Sequence, residues 1–250
     1  MGCSENDGLL LVVRQSCKIL FILSNKPSAF HLRPSAASSF MPTVTVQVPA
    51  TTSNFGPGYD CLGCALKIYN RVTVATLRAR SLSSSARERV TPPHPMVAAA
   101  ADTFFQASDS QPFPFRWHIA GDVPMSRGLG SSVTLRLGVI FALNVLAGKP
   151  LRRARIFELC AALEGHPDNA APAAFGGFTV AGAASAADAA ELPRFAVAPR
   201  LKFVLLVPAF EIRTSEARAL LPETVARLAA VASSARTSRI TAAFAATRYE

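Results

Sequence analysis

Pro124-Met125-Ser126-Arg127-Gly128-Leu129-Gly130-Ser131-Ser132 is the stretch whose residue types and spacing best suit chemistry. Directly after it comes an apolar, proline-free run, residues 133–147, closed by Gly148 and Pro150. That run predicts a helix, and one that is apolar nearly all round predicts a buried helix. Gly128, Gly130, Ser131 and Ser132 would then sit at its N-terminus, where unpaired N–H groups and the positive end of the helix dipole point outward. This makes an anion site, and phosphate is the usual anion. The glycines let the backbone come close to it, and the serine hydroxyls can bond a phosphate or a magnesium ion. The stretch is not a Walker loop, because no Gly-Lys-Ser/Thr closes it, nor a dinucleotide fingerprint, which needs a third glycine near Val133. The plainer alternative is a serine-capped helix with a flexible lead-in.

The elements that must hold this loop follow from periodicity. Residues 43–48 alternate as a strand does, and 65–77 do so again through Leu66, Ile68, Val72 and Val74. Between them, residues 49–60 are dense in glycine, proline and hydroxyls and predict a loop. Residues 78–90 are polar and predict another. A helix is expected over 96–107, then a strand over 113–119 that feeds the Gly/Ser stretch. Residues 151–163 carry Ile156, Leu159, Cys160 and Leu163 at helical spacing, with Gly165 as the stop. A strand is expected over 173–181, a linker over 183–193 and an apolar strand over 201–208. Thr214 or Ser215 caps a helix over 214–220 with Glu216 in its first turn, and a short helix follows over 223–232.

The 250 residues are 50% hydrophobic and 17% charged, which allows one large globular domain or two smaller ones. The formal charge of +10 is mostly arginine and is scattered. A nucleic-acid binder would concentrate it and interleave aromatics. Here Trp117 and the tyrosines do not accompany the arginines, so anionic small substrates suit the surface better and no nucleic-acid partner is expected. Five cysteines are few and odd in number, which argues against a disulfide framework and for a cytoplasmic location. Cys61-x-x-Cys64 lies in an apolar run and reads as small core residues rather than a redox pair. Residues 1–40 hold two apolar stretches, 9–13 and 18–23, each too short to span a membrane. They are expected to be a disordered leader, or to precede a true start at Met41.

Three segments together resemble the GHMP small-molecule kinases, and within them the homoserine kinase branch. They are Pro49-Ala-Thr-Thr-Ser-Asn-Phe-Gly-Pro-Gly-Tyr-Asp-Cys-Leu-Gly63, Gly128-Leu-Gly-Ser-Ser132, and Glu164-Gly-His-Pro-Asp-Asn-Ala-Ala-Pro172 followed by Phe175-Gly-Gly-Phe178. A weaker match is Thr214-Ser-Glu-Ala-Arg-Ala-Leu-Leu-Pro222. The resemblance runs from about Met41 to the last residue. It implies an α+β fold of two domains: a nucleotide-binding domain over 41–199, and over 200–250 the start of a ferredoxin-like domain. It implies ATP-dependent phosphorylation of the homoserine hydroxyl in threonine synthesis, with ATP and Mg2+. Another small alcohol, or an inactive nucleotide-binding remnant, is the alternative. No membrane partner is expected, and a homodimer is left open. Two departures stand out. Val133, Thr134, Leu135 and Arg136 replace the small residues usual after the loop, and the family continues beyond this end, so the chain is expected to be C-terminally incomplete and inactive as it stands.

The resemblance also implies roles. Pro124, Arg127, Gly128, Leu129, Gly130, Ser131 and Ser132 would bind nucleotide. Asn54, Asp60, Asn169, Thr214 and Arg218 would bind substrate, with Arg218 as a fork for its carboxylate. Ser132 would hold magnesium together with Glu158, placed eleven residues before Asn169, and Glu164 is the rival carboxylate. Plainer readings stand beside these: turn chemistry for Asn54 and Asp60, an ion pair with Arg155 for Glu158, a solvated helix arginine for Arg218. Asn169 is an amide and takes no proton at neutral pH, so Asn169, Glu158 and Ser132 would act by position and charge. His166 reads as a turn residue rather than a base.

Overall fold

In a computed structural model of the chain, the structure describes residues 9–13, 20–23, 42–77, 94–148, 151–182, 192–207, 210 and 214–249. It is α+β, as expected. The strands are β1 (Leu9–Val13), β2 (Leu20–Leu23), β3 (Thr43–Asn54), β4 (Gly58–Thr76), β5 (Phe115–Gly121), β6 (Phe178–Val180), β7 (Arg194–Phe195) and β8 (Phe203–Val207). The helices are α1 (Pro95–Ser108), α2 (Ser131–Leu146), α3 (Arg153–Glu164), α4 (Ala170–Phe175), α5 (Thr214–Ala219) and α6 (Arg227–Ala246). A six-stranded antiparallel sheet runs β2-β3-β4-β6-β7, with β5 also paired to β4; β1 and β8 form a separate antiparallel pair.

Val44, Val46 and Val48 on β3 and Val72 and Val74 on β4 turn one face of the sheet inward. Against it lies α2, whose buried residues run from Val133 through Leu143 on nearly every side, the outcome its all-apolar sequence predicts. Helices α1 and α3 pack beside it through Phe104, Ile156 and Phe157. A second cluster joins Leu62, Cys64 and Phe178 to Phe244 of α6, whose ring stacks on Phe178 at 3.8 Å.

Four expectations change. Residues 49–60 are no open loop: β3 continues to Asn54, a turn takes 55–57, and β4 begins at Gly58. Irregular pairing, with register shifts between Pro49 and Thr51 and between Ser53 and Asn54, lets a proline-bearing segment stay in the sheet. Residues 173–175 end helix α4 rather than starting a strand, because Gly176 at positive φ stops the helix first. The short helix expected at 223–232 is α6, twenty residues long, built largely of alanine and small hydroxyl residues without apolar periodicity. Leu9–Val13 and Leu20–Leu23, expected to lack structure, are strands: each apolar run pairs with an open edge, of β8 and of β3. The rest of 1–40, the polar segment 78–90 and most of the linker at 183–193 lie outside the described residues.

Candidate active site

The N-terminus of α2 is capped by Gly130 in the left-handed conformation, which offers no side chain to its first N–H groups. Those donors therefore face outward beside the loop. The loop is pinned from below: the Thr51 N–H donates to Leu129 O at 3.2 Å, and Leu129 itself is buried. A Cβ at Gly130 would stand 2.2 Å from Thr51 Oγ1 and 3.5 Å from Asn169 Oδ1, so only glycine fits where loop and acceptor side meet. Gly128 is exposed, Pro124 is half-buried, and Arg127 turns back on its own loop to Met125 O and Ser126 O.

Asn169 joins two motifs that lie more than a hundred residues apart. Its Oδ1 accepts the Thr51 hydroxyl at 2.7 Å, and its Nδ2 donates to Ser53 Oγ at 3.0 Å. Its backbone N–H donates to Asp168 Oδ1 at 2.8 Å, and the same oxygen meets His166 Nδ1. Gly63 lets this turn approach: a Cβ there would lie 1.9 Å from Asp168 O. Asp60 completes the group, with a carboxylate oxygen that lies within 4.8 Å of the His166 and Asp168 ligand atoms. Arg218, on α5, grips Asp60 with two bonds of 2.9 and 2.5 Å and stacks 5.3 Å from the Tyr59 ring. Thr214 opens α5 one turn earlier.

Backbone strain marks the same place. Asn54, Phe55 and Asp60 all have positive φ without being glycine, each at a cost of about 1–3 kcal/mol. Asn54 does turn chemistry: its Oδ1 accepts the Asp60 N–H at 2.9 Å, so its side chain shapes the loop that presents Asp60.

The carboxylate beside Ser132 is not the one expected. Ser132 Oγ donates to Glu164 Oε2 at 2.9 Å, whereas Glu158 is paired with Arg155 at 2.9 Å. Of the two carboxylates, Glu164 is the one that bonds the Ser132 hydroxyl. Glu164 ends α3 next to the α2 N-terminus, and Arg136 holds its other oxygen. Thr51, Ser53, Asp168 and Arg136 belong to the site without having been singled out as site residues. Thr51 and Ser53 could have been found by their alternation along β3, Asp168 by its place beside Asn169 in the third motif, and Arg136 by its bulk where a small residue is usual.

A model of the GHMP kinases N terminal domain matches residues 95–177. The homoserine kinase of Trichormus variabilis is 40% identical over 198 residues, 77% of this chain and 65% of that protein. That of Clostridium botulinum (strain Kyoto) is 37% identical over 184 residues, 73% and 61% of the two chains. The crystal structure of homoserine kinase from Cytophaga hutchinsonii superposes with a TM-score of 0.61 at 19% identity, over 87% of this chain and 71% of that one, which shows a shared fold. The chain is thus similar to the GHMP kinases N terminal domain over residues 95–177 and to homoserine kinases over most of its length. It spans a little under two thirds of the length of the curated relatives named here.

The turn at 166–169 is held by the pair of His166 with the buried Asp168. The hydrogen bond to Asp168 raises the His166 pKa above its ordinary 6.5, against burial. Burial alone would raise the Asp168 carboxyl, but the bonds from His166, Ser53 and Asn169 outweigh it and hold it below the usual range. His166 is therefore favoured in its protonated form by the pairing, which occupies its Nδ1. Its stabilising contribution is fully present below pH 6.5 and is lost as pH rises through the raised value; that of Asp168 is lost only as pH falls through its lowered value. We expect urea stability to decline on the alkaline side of 6.5, and His166→Gln to remove that limb. A midpoint for His166 below 6.5 in an NMR titration would contradict the pairing.

Among the described residues Cys61, Cys64 and Cys160 form no disulfide, and burial pushes the Cys61 and Cys160 thiols up, so neither is a ready nucleophile. Among the described residues no helix is long and apolar enough to cross a membrane.

Proposed function

We propose that the protein transfers the γ-phosphoryl group of ATP to the hydroxyl of homoserine. The observation that carries this reading is Asn169, which bonds Thr51 at the Gly130 corner of the loop and Asp168, whose carboxylate lies within 4.8 Å of the Asp60 carboxylate that Arg218 grips. An amino acid carries one ammonium and one carboxylate, the complement of that pair. Asp60 would take the ammonium, and Arg218 the carboxylate as a bidentate fork, as the two exchange each other for substrate. This favours a small amino-acid alcohol over a sugar, which has neither charge. The homoserine kinase names of the relatives point the same way.

The α2 N–H groups, with Ser131 and Ser132, would hold the phosphates. Ser132 Oγ and Glu164 Oε2 are hard oxygens 2.9 Å apart, the donor type that Mg2+ takes. Glu164 is preferred to Glu158 here because its carboxylate is the one bonded to the Ser132 hydroxyl. Bound there, Mg2+ would neutralise charge on the polyphosphate. In the transfer, the substrate oxygen bonds to the γ-phosphorus as the bond to the bridging oxygen of ADP breaks, and the hydroxyl proton is released. Asn169 has both ends of its amide engaged, and His166 Nδ1 is held by Asp168. These two residues therefore contribute placement and charge rather than proton abstraction.

ATP consumption compared over homoserine, mevalonate, galactose and shikimate tests the reading. Homoserine should be preferred, and Asp60→Asn should raise its KM by about tenfold or more, since a charge-assisted bond is worth about 1.5–3 kcal/mol. Preference for another alcohol would overturn the assignment.

A further inference from the structure

We propose that Arg136 is a positioning residue that tunes divalent-cation binding at the Ser132–Glu164 pair; this rests on the metal reading given above. Arg136 lies in the second turn of α2, where the resemblance led us to expect a small residue. Its Nη1 donates to Glu164 Oε1 at 2.7 Å and to Leu163 O at 2.6 Å. Glu164 is thus held at both oxygens, by Arg136 at Oε1 and by the Ser132 hydroxyl at Oε2. The pair is largely desolvated, with 18% and 9% of the two side chains exposed, so its attraction is only partly screened.

Two consequences follow from charge alone. The guanidinium adds a fixed positive charge next to a helix end that is already positive, and it neutralises the carboxylate before any cation arrives. A divalent ion at Ser132 must share Glu164 with Arg136, so Arg136 weakens the ion's binding. At the same time it holds the carboxylate aimed at Ser132, because the second bond to Leu163 O fixes the arginine on the end of α3. The Arg136 Nε is buried without a hydrogen-bond partner. An unmet donor is costly, and a site that needed only a helix cap would be served by a residue without one.

The test is direct binding of Mn2+ to the whole chain, read by the EPR signal of the free ion, with Tm recorded for every variant. Arg136→Met should tighten Mn2+ binding by about tenfold, and Arg136→Lys, which keeps the charge, should stay within about threefold of the parent. Arg136→Gln serves in the same role if the methionine variant does not fold. Glu164→Gln should abolish binding in either background. If Glu164→Gln abolishes it but Arg136→Met and Arg136→Gln leave affinity unchanged while lowering Tm, Arg136 is only a cap on α3 and this inference is overturned alone. If Glu164→Gln leaves binding intact, the metal reading fails and this inference fails with it.

Discussion

Gly130→Ala is expected to weaken nucleotide binding by about two orders of magnitude, while Gly128→Ala costs about tenfold. Both residues have positive φ, at 66° and 70°. A side chain in that conformation costs about 1–2 kcal/mol wherever it stands. The difference lies in what the added methyl meets. At Gly128 nothing stands within 4 Å, so only the backbone strain is felt. At Gly130 the methyl would lie 2.2 Å from Thr51 Oγ1, with Asn169 Oδ1 just beyond. The hydroxyl cannot move without losing its bond to Asn169, so the loop must lift and carry the α2 N–H groups away from the phosphates. Titration with a fluorescent ATP analogue measures both variants. Equal losses at the two positions would mean that the Thr51–Asn169 contact does not support the loop.

The second large effect is expected at Asp168. Asp168→Asn should destabilise the fold by about 1–3 kcal/mol, because it removes the charged partner of His166 from a largely buried contact. The carboxylate is 2% exposed and its partner 13%, so water cannot substitute. Asn169 and Ser53 lose their common anchor in the same step, and the acceptor side loosens before the chain unfolds. Asp60→Asn provides the contrast. Its pair with Arg218 is about a third exposed at both ends, and such pairs contribute about 0–1 kcal/mol. That variant should keep its urea midpoint and lose homoserine affinity. An Asp168→Asn protein of parent stability would remove the ion pair from the account of the site.

These two sites also separate what was legible along the chain from what was not. Helix α2 and its glycine loop could be read directly, because an all-apolar run, a Gly/Ser entry and a Gly-Pro exit act locally. The same holds for α1, α3 and the cores of β3 and β4. The 49–60 segment was misread because its proline and glycine content signals a loop, whereas pairing with β4 tolerates them through register shifts. The strands at 9–13 and 20–23 could not be recognised from their own residues, since what orders them is an open edge supplied from elsewhere in the chain.

The sequence by itself determined the residue types of the candidate site and the Gly/Ser entry to a buried helix, because helix entry, glycine conformation and donor chemistry are properties of neighbouring residues. Only the tertiary structure decided which of those residues meet. Arg218 reaches Asp60 across 158 residues, and Thr51 reaches Asn169 across 118. Glu164 rather than Glu158 faces Ser132, because the packing of α3 against α2 sets which carboxylate points inward. A carboxylate's role depends on the charge a few ångströms away, and in this chain that charge is brought by elements far apart in sequence.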